Sequence, residues 1–261
     1  MIELRGADRA LFASDVHLDE RDPLTADAFF EALARESAGA THVFLLGDLF
    51  EAWVGDDDPG AVGRRALDSL AALTAAGRRV FLMRGNRDFL LDVPLAGAAG
   101  ASVAPFSARA GATMLADPTR VLLFGRPALL AHGDALCTDD ADYQAFRAQS
   151  RSPAWQQAFL SQPLAARVEA ARALRARSEA EKAAKAQYLM DVNAAEVERA
   201  MREAGASLLI HGHTHRPAHH RMRLDGASAE RWVLPDWEAR AGRGGMLIAT
   251  ARGLQAIGAW E

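Results

Sequence analysis

Three histidines stand within five positions in the stretch LLIHGHTHRP, residues 208–217: His211, His213 and His215. Imidazole is the commonest side-chain ligand for metals, so alternating histidines behind an apolar run point to a metal site. If the chain stays extended, the three share one face. If it turns at Gly212, His213 and His215 reach different ions. Cys137 is the sole cysteine, which rules out a thiolate cluster and an intrachain disulfide. Any metal must therefore be held by oxygen and nitrogen. Four other short blocks offer such donors: Asp15 and His17 in ALFASDVH, Asp48 in HVFLLGDLFE, Asn86 in RVFLMRGNRD, and His132 in ALLAHGD.

Together these give Asp15, His17, Asp48, Asn86, His132, His213 and His215. That set exceeds what one ion can use while leaving room for water and substrate. With one aspartate bridging, two ions about 3.5–4 Å apart can each have four protein ligands. Such a pair clamps an in-line displacement at phosphorus and makes hydroxide available near neutral pH. Each block alone is weak, because Gly-Asp after a strand is common. Five in one chain are hard to ascribe to accident.

Every block follows a short apolar run that reads as a buried strand. Alanine-rich helical stretches, 23–38 and 60–76, separate the first three runs. This alternation is that of a parallel sheet, in which ligands bind beyond the carboxyl ends of the strands. The five clusters are therefore expected at one sheet edge. Glycines at 47, 85, 133 and 212 supply sharp turns at four of the exits.

The chain has 261 residues, half of them hydrophobic, which suits one large α/β domain or a core with an insert. A net charge of −4 argues against a bulk nucleic-acid binder. The N-terminal stretch has no continuous apolar region, so no secretory signal is expected. No apolar run reaches the length of a membrane-spanning helix. A cytoplasmic location is expected.

The five blocks, in order, resemble the signature of the calcineurin-like metallophosphoesterase superfamily. The resemblance implies a four-layer αββα sandwich of two mixed β-sheets. It places Asp15, His17, Asp48 and His215 on one metal and Asp48, Asn86, His132 and His213 on the other, with Asp48 bridging. The C-terminal third agrees: RMRLDGASAERWVL carries an Asp225-Gly226 hairpin signal, and GGMLIATARGLQAIGAW reads as two strands. A narrower set, GDLFEAWVGDDDP, GNRDFLL, HGDALCTDDADYQAFR, MDVN and LIHGHTHRPA, resembles the UDP-2,3-diacylglucosamine pyrophosphatase family. These blocks span residues 11–220, and several lie outside the donors.

The narrower resemblance implies attack at the α-phosphorus of UDP-2,3-diacylglucosamine, giving UMP and lipid X for lipid A biosynthesis. It points to Mn²⁺ as the metal and to peripheral attachment at the cytoplasmic face of the inner membrane. Asp48, Asn86, Arg87 and His132 are its catalytic residues. Its substrate contacts fall on Asn86, Arg87, Asp140, Ser178, Lys182, Lys185 and His213, although the family has asparagine where Lys182 stands. Protein phosphatases of the superfamily carry a proton-donating histidine where this chain has Arg87. Arginine cannot donate a proton at neutral pH, but it grips phosphate oxygens bidentately. That favours a leaving group needing no acid, such as a sugar phosphate. Asp88 reads equally as a turn residue or as a partner orienting Arg87 or a ligand.

Residues 139–204 separate two donor blocks and read as a helical cap inserted into the 1–261 domain. Trp155, Phe159, Leu160, Leu164, Val168 and Leu174 recur at helical spacing, with Pro153 and Pro163 as starts or breaks. The simpler reading is a cap packed on the core. The sharper one adds an acyl-chain groove and a membrane-facing basic side made of Arg167, Arg172, Arg175 and Arg177. Two competing functions remain: a dimetal phosphoesterase acting on a soluble nucleotide, and a non-catalytic scaffold of the same fold.

Overall fold

The computed structural model describes residues 1–57, 60–95, 103–184 and 191–260, with the backbone alone for 177–184. Strands β1 (Ile2–Leu4), β2 (Ala10–Ala13), β3 (His42–Leu46) and β4 (Arg79–Met83) alternate with helices α1 (Pro23–Ser37) and α2 (Gly60–Ala75). Then come α3 (Phe106–Arg109), β5 (Thr113–Leu115), β6 (Thr119–Leu123) and β7 (Arg126–Leu130). Helices α4 (Ala141–Ser150), α5 (Pro153–Leu160), α6 (Leu164–Ala184) and α7 (Ala194–Glu203) intervene before β8 (Leu208–His211). The chain closes with β9 (Ala218–Leu224), β10 (Ala227–Val233), β11 (Gly244–Thr250) and β12 (Gly253–Ala259).

Two six-stranded sheets form, in the orders β1-β6-β7-β8-β10-β9 and β12-β11-β2-β3-β4-β5. Both are mixed. β2 to β5 run parallel, whereas β11 is antiparallel to β2 and to β12. β7, β8 and β10 run parallel, whereas β6 and β9 are antiparallel to their partners β7 and β10. Phe12, Phe44, Phe81 and Met83 from one sheet meet Val121, Leu130, Leu208 and Ile210 from the other in a shared core. The rings of Phe12 and Phe81 stack on Phe44 at 4.8 and 4.7 Å. Outside the second sheet, Phe29 and Leu33 of α1 and Leu70 of α2 cover Leu11, Val43 and Leu82. Outside the first, Val197 and Met201 of α7 cover Leu129 and Leu209. The result is the αββα sandwich, and each central strand is an unbroken apolar run because both its faces are buried.

This corrects the expectation of one sheet edge. β2, β3 and β4 belong to one sheet, and β7 and β8 to the other. The donor blocks meet because the carboxyl ends of both sets open at the same end of the sandwich. The predicted helices and the C-terminal strands are present, and Asp225-Gly226 turns β9 into β10 with φ of 50° and 82°.

Within residues 139–204, α5 starts at Pro153 with Ser152 accepting from the backbone N–H of Trp155 at 3.3 Å. Its Phe159 and Leu160 are buried in the core cluster that also holds Trp53, Leu90 and Leu91. The expected basic membrane side is not built as read. Arg167 is 3% exposed, donating to the Val54 carbonyl at 2.5 Å and pairing with Asp57. Arg175 donates to Glu51 at 2.7 and 3.0 Å. Both turn inward because carboxylates lie beneath the helix. Arg172 is exposed, and the side chain of Arg177 is outside the described residues. No described helix is long and apolar enough to cross a membrane.

Candidate metal centre

The donors sit just past their strand ends, in backbone conformations that side-chain-bearing residues avoid. Asp15, His17, Asp48, His213 and His215 have φ of 52°, 54°, 51°, 70° and 54°. Strain of this kind persists only where the surroundings impose it. Space is equally tight. A Cβ on Gly85 would collide with Asp48, and one on Gly212 with Asp15 and Ser14.

Asp88 staples the turns together. Its carboxylate accepts the N–H groups of Gly85 at 2.7 Å, Leu49 at 2.8 Å, Asp48 at 3.3 Å and Phe50 at 3.4 Å. It thus holds the β3 exit to the β4 exit. Arg87 is held by Glu51, with its Nε 3.6 Å from Asp48.

The chain turns at Gly212, and the histidines beyond it diverge. His213 joins Asn86 and His132: the Asn86 amide oxygen lies 2.8 Å from His213 Nδ1 and 3.0 Å from His132 Nε2. His132 turns its Nδ1 to the Leu46 carbonyl at 3.0 Å, which points Nε2 toward Asp48 at 3.7 Å. His215 joins His17, with the two Nε2 atoms 3.1 Å apart and Asp15 Oδ1 3.5 Å from His215. His211 leaves the site. It is fully buried, with Nδ1 against the Gly212 carbonyl at 2.9 Å.

Two donor groups are compact enough for an ion: Asp15, His17 and His215, and Asp15, Asp48 and His132, each with its ligand atoms within 4.8 Å. Asp15 is common to both. The electrostatics are those of anionic charge withdrawn from water. Burial raises the Asp48 carboxyl to about 6, and Asp88 and Asp15 add to this against the pull of His132. Burial opposes charge on His132, yet Asp48, Asp15, Asp134 and Asp117 outweigh it and lift the imidazole to about 9. Burial, then the charge of His132, lowers His213 to about 3. Asp15 Oδ1 is buried without a hydrogen-bond partner. Clustered carboxylates, an unpartnered oxygen and inward-facing imidazole nitrogens fit divalent cations.

The profile of calcineurin-like phosphoesterases matches residues 9–217. This chain is a calcineurin-like phosphoesterase. It is 48% identical over 251 residues to a UDP-2,3-diacylglucosamine hydrolase of Cellvibrio japonicus (strain Ueda107), covering 96% of this chain and 98% of that protein. The protein of that name in Aromatoleum aromaticum is 50% identical over 228 residues, covering 87% and 89%. The one in Chromohalobacter salexigens is 46% identical over 234 residues, covering 90% of each. Among solved structures, an archaeal phosphodiesterase aligns over 96% of this chain at 12% identity with a TM-score of 0.47, too loose a likeness to add to these.

The phosphoesterase places its other expected residues unevenly. Asp140 caps α4, accepting from the Tyr143 N–H at 3.1 Å. Tyr143 lies over His213 at 6.0 Å and donates to Asp134 at 2.7 Å. The side chains of Ser178 and Lys182, and all of Lys185, fall outside the described residues. Beside the centre, Arg21, Glu51, Arg87, Arg172 and Arg175 line a recess of about 500 Å³. Sequence reasoning gave no role to Glu51, Asp134 or Asp236. Asp236 follows the β10 strand as the other donors follow theirs, and that recurrence was the available signal.

Proposed function

We propose that this phosphoesterase hydrolyses the pyrophosphate bond of UDP-2,3-diacylglucosamine, giving UMP and 2,3-diacylglucosamine 1-phosphate (lipid X) for lipid A biosynthesis. The observation that carries this is the near-full-length identity to the hydrolase of Cellvibrio japonicus. Asp15, His17, Asp48 and His215 would hold one divalent ion, and Asp48, Asn86, His132 and His213 a second. Such ions, when bound, supply a water acidic enough to give hydroxide near neutral pH and neutralise phosphate charge. Carboxylate, amide and imidazole donors without thiolate suit Mn²⁺.

The chain's own residues account for the rest. Arg87, permanently charged, grips the phosphate oxygens in a fork and keeps no proton to give. None is needed, because the sugar 1-phosphate departs as a stabilised anion. Asp88 keeps the loops of Asp48 and Asn86 in register, and Glu51 aims Arg87. The arginine-lined recess beside Arg87 suits the second phosphate. The 139–204 segment acts as a cap over the acylated sugar, and Asp140, Ser178, Lys182 and Lys185 are its proposed substrate contacts. Phe146 of α4 and Leu174 of α6, each 36% exposed, give it apolar points for peripheral contact with the inner membrane's cytoplasmic face.

A turnover panel tests this reading. Diacylated UDP-glucosamine should outrun soluble dinucleotides. The reverse order would favour a soluble-nucleotide enzyme, and no turnover of any phosphoester would favour a scaffold.

A further inference from the structure

Two carboxylates stand behind the imidazole pair of the centre, and neither is among the seven donors. The Nε2 atoms of His17 and His215 face each other at 3.1 Å. Behind them, His17 Nδ1 lies 3.5 Å from Glu51 Oε2, and His215 Nδ1 lies 3.5 Å from Asp236 Oδ2. His17 Nδ1 is buried and takes part in no hydrogen bond. The arrangement is the same on both sides: imidazole in front, carboxylate behind.

Both carboxylates are themselves held. Asp236 is 3% exposed and accepts from Arg243 at 3.0 and 3.2 Å. Its flanks are clamped as well. The Leu234 N–H donates to the His211 carbonyl at 2.7 Å, and the Trp237 N–H donates to the Asp15 carbonyl at 3.0 Å. The Trp237 ring meets Phe29 edge-on at 5.2 Å. This segment therefore ties the end of β8 to the Asp15 loop, and it lies beyond residue 217, where the family match ends. Glu51 is fixed by Arg87 and Arg175.

We propose that Asp236 and Glu51 are positioning residues that set the tautomers of His215 and His17. A neutral imidazole has one N–H and one lone pair. A carboxylate beside Nδ1 keeps the proton there, so Nε2 presents its lone pair to the centre next to Asp15. At 3.5 Å the contact is electrostatic rather than a full hydrogen bond. In a site withdrawn from water, that attraction is strong enough to choose between two tautomers. This inference rests on the dimetal reading above, and it adds a loop outside the family signature to the machinery that shapes the centre.

The test uses metal-free protein and two readouts. Mn²⁺ binding is measured by calorimetry in wild type, Asp236→Ala, Asp236→Asn and Glu51→Gln. The tautomers of His17 and His215 are read from imidazole ¹⁵N shifts. Asp236→Ala should weaken Mn²⁺ binding about 10–100-fold and release His215 from the Nδ1–H form. Asp236→Asn, which keeps the shape and one acceptor oxygen, should lose less and remains informative if the alanine variant fails to fold. Glu51→Gln should shift His17 alone. Affinities within about twofold of wild type, with unchanged ¹⁵N shifts, would overturn the proposal. A wild type that binds no Mn²⁺ would instead overturn the dimetal reading, while the ¹⁵N shifts would still decide the positioning role.

Discussion

Asp48 is the side chain on which the centre turns. It accepts the Arg87 backbone N–H at 2.8 Å, faces His132 at 3.7 Å and lies beside Arg87 Nε at 3.6 Å. Asp48→Ala should bring turnover near background with the far-ultraviolet circular dichroism unchanged. Normal activity would defeat the two-ion assignment. Arg87→Lys keeps the charge but loses the fork, so kcat should fall on the order of 10²-fold, the usual scale for losing one preorganised donor. An unchanged kcat would mean that charge alone suffices. At this scale the sequence was informative about donors and poor about their partners. Asp15, His17, Asp48, Asn86, His132, His213 and His215 are recognisable by type and spacing. The pairings of Glu51 and Asp236 are not, because a partner imidazole 34 or 21 residues away leaves no local pattern.

At the scale of elements, Glu51 and His17 are joined across the β2 and β3 exits, and Asp236 and His215 across the β9–β10 hairpin. Elements were legible where burial is complete. β2, β3, β4, β7 and β8 read as apolar runs because both faces are covered. Which sheet each joins was not legible, since an interior strand of either sheet carries the same kind of run. The short strands β1, β5 and β6, partly exposed, gave no signal. The inward turn of Arg167 was hidden because helical spacing does not reveal that Asp57 waits beneath. The Asp88 staple offers a prediction here. Asp88→Asn puts an amide NH₂ among N–H donors and leaves some unpaired. Stability in urea should fall by about 2–3 kcal/mol, the scale of a buried unsatisfied group. No loss would mean that the turns hold their shape without it.

For the whole molecule, pH acts at both ends of the sandwich. Away from the centre, His42 is 4% exposed and its Nε2 has no hydrogen-bond partner. Burial holds its imidazole below the ordinary value, with Asp8 opposing and Arg79 assisting. The unfolded chain thus binds a proton there more readily than the folded one. Stability from the neutral ring is complete above the unfolded value of 6.5 and is lost as pH falls below it toward the folded value. His42→Phe, which keeps a flat ring beside Phe44 and Phe81, should flatten that acid limb in urea melts at pH 7 and pH 5. An identical limb in the variant would remove His42 from the account. The central claim concerns chemistry, and one assay reaches it directly: hydrolysis of UDP-2,3-diacylglucosamine in detergent micelles, with Mn²⁺ added or chelated, beside UDP-N-acetylglucosamine. Metal-dependent release of UMP from the acylated substrate alone is the predicted result. No UMP from either, with Mn²⁺ present, would contradict it.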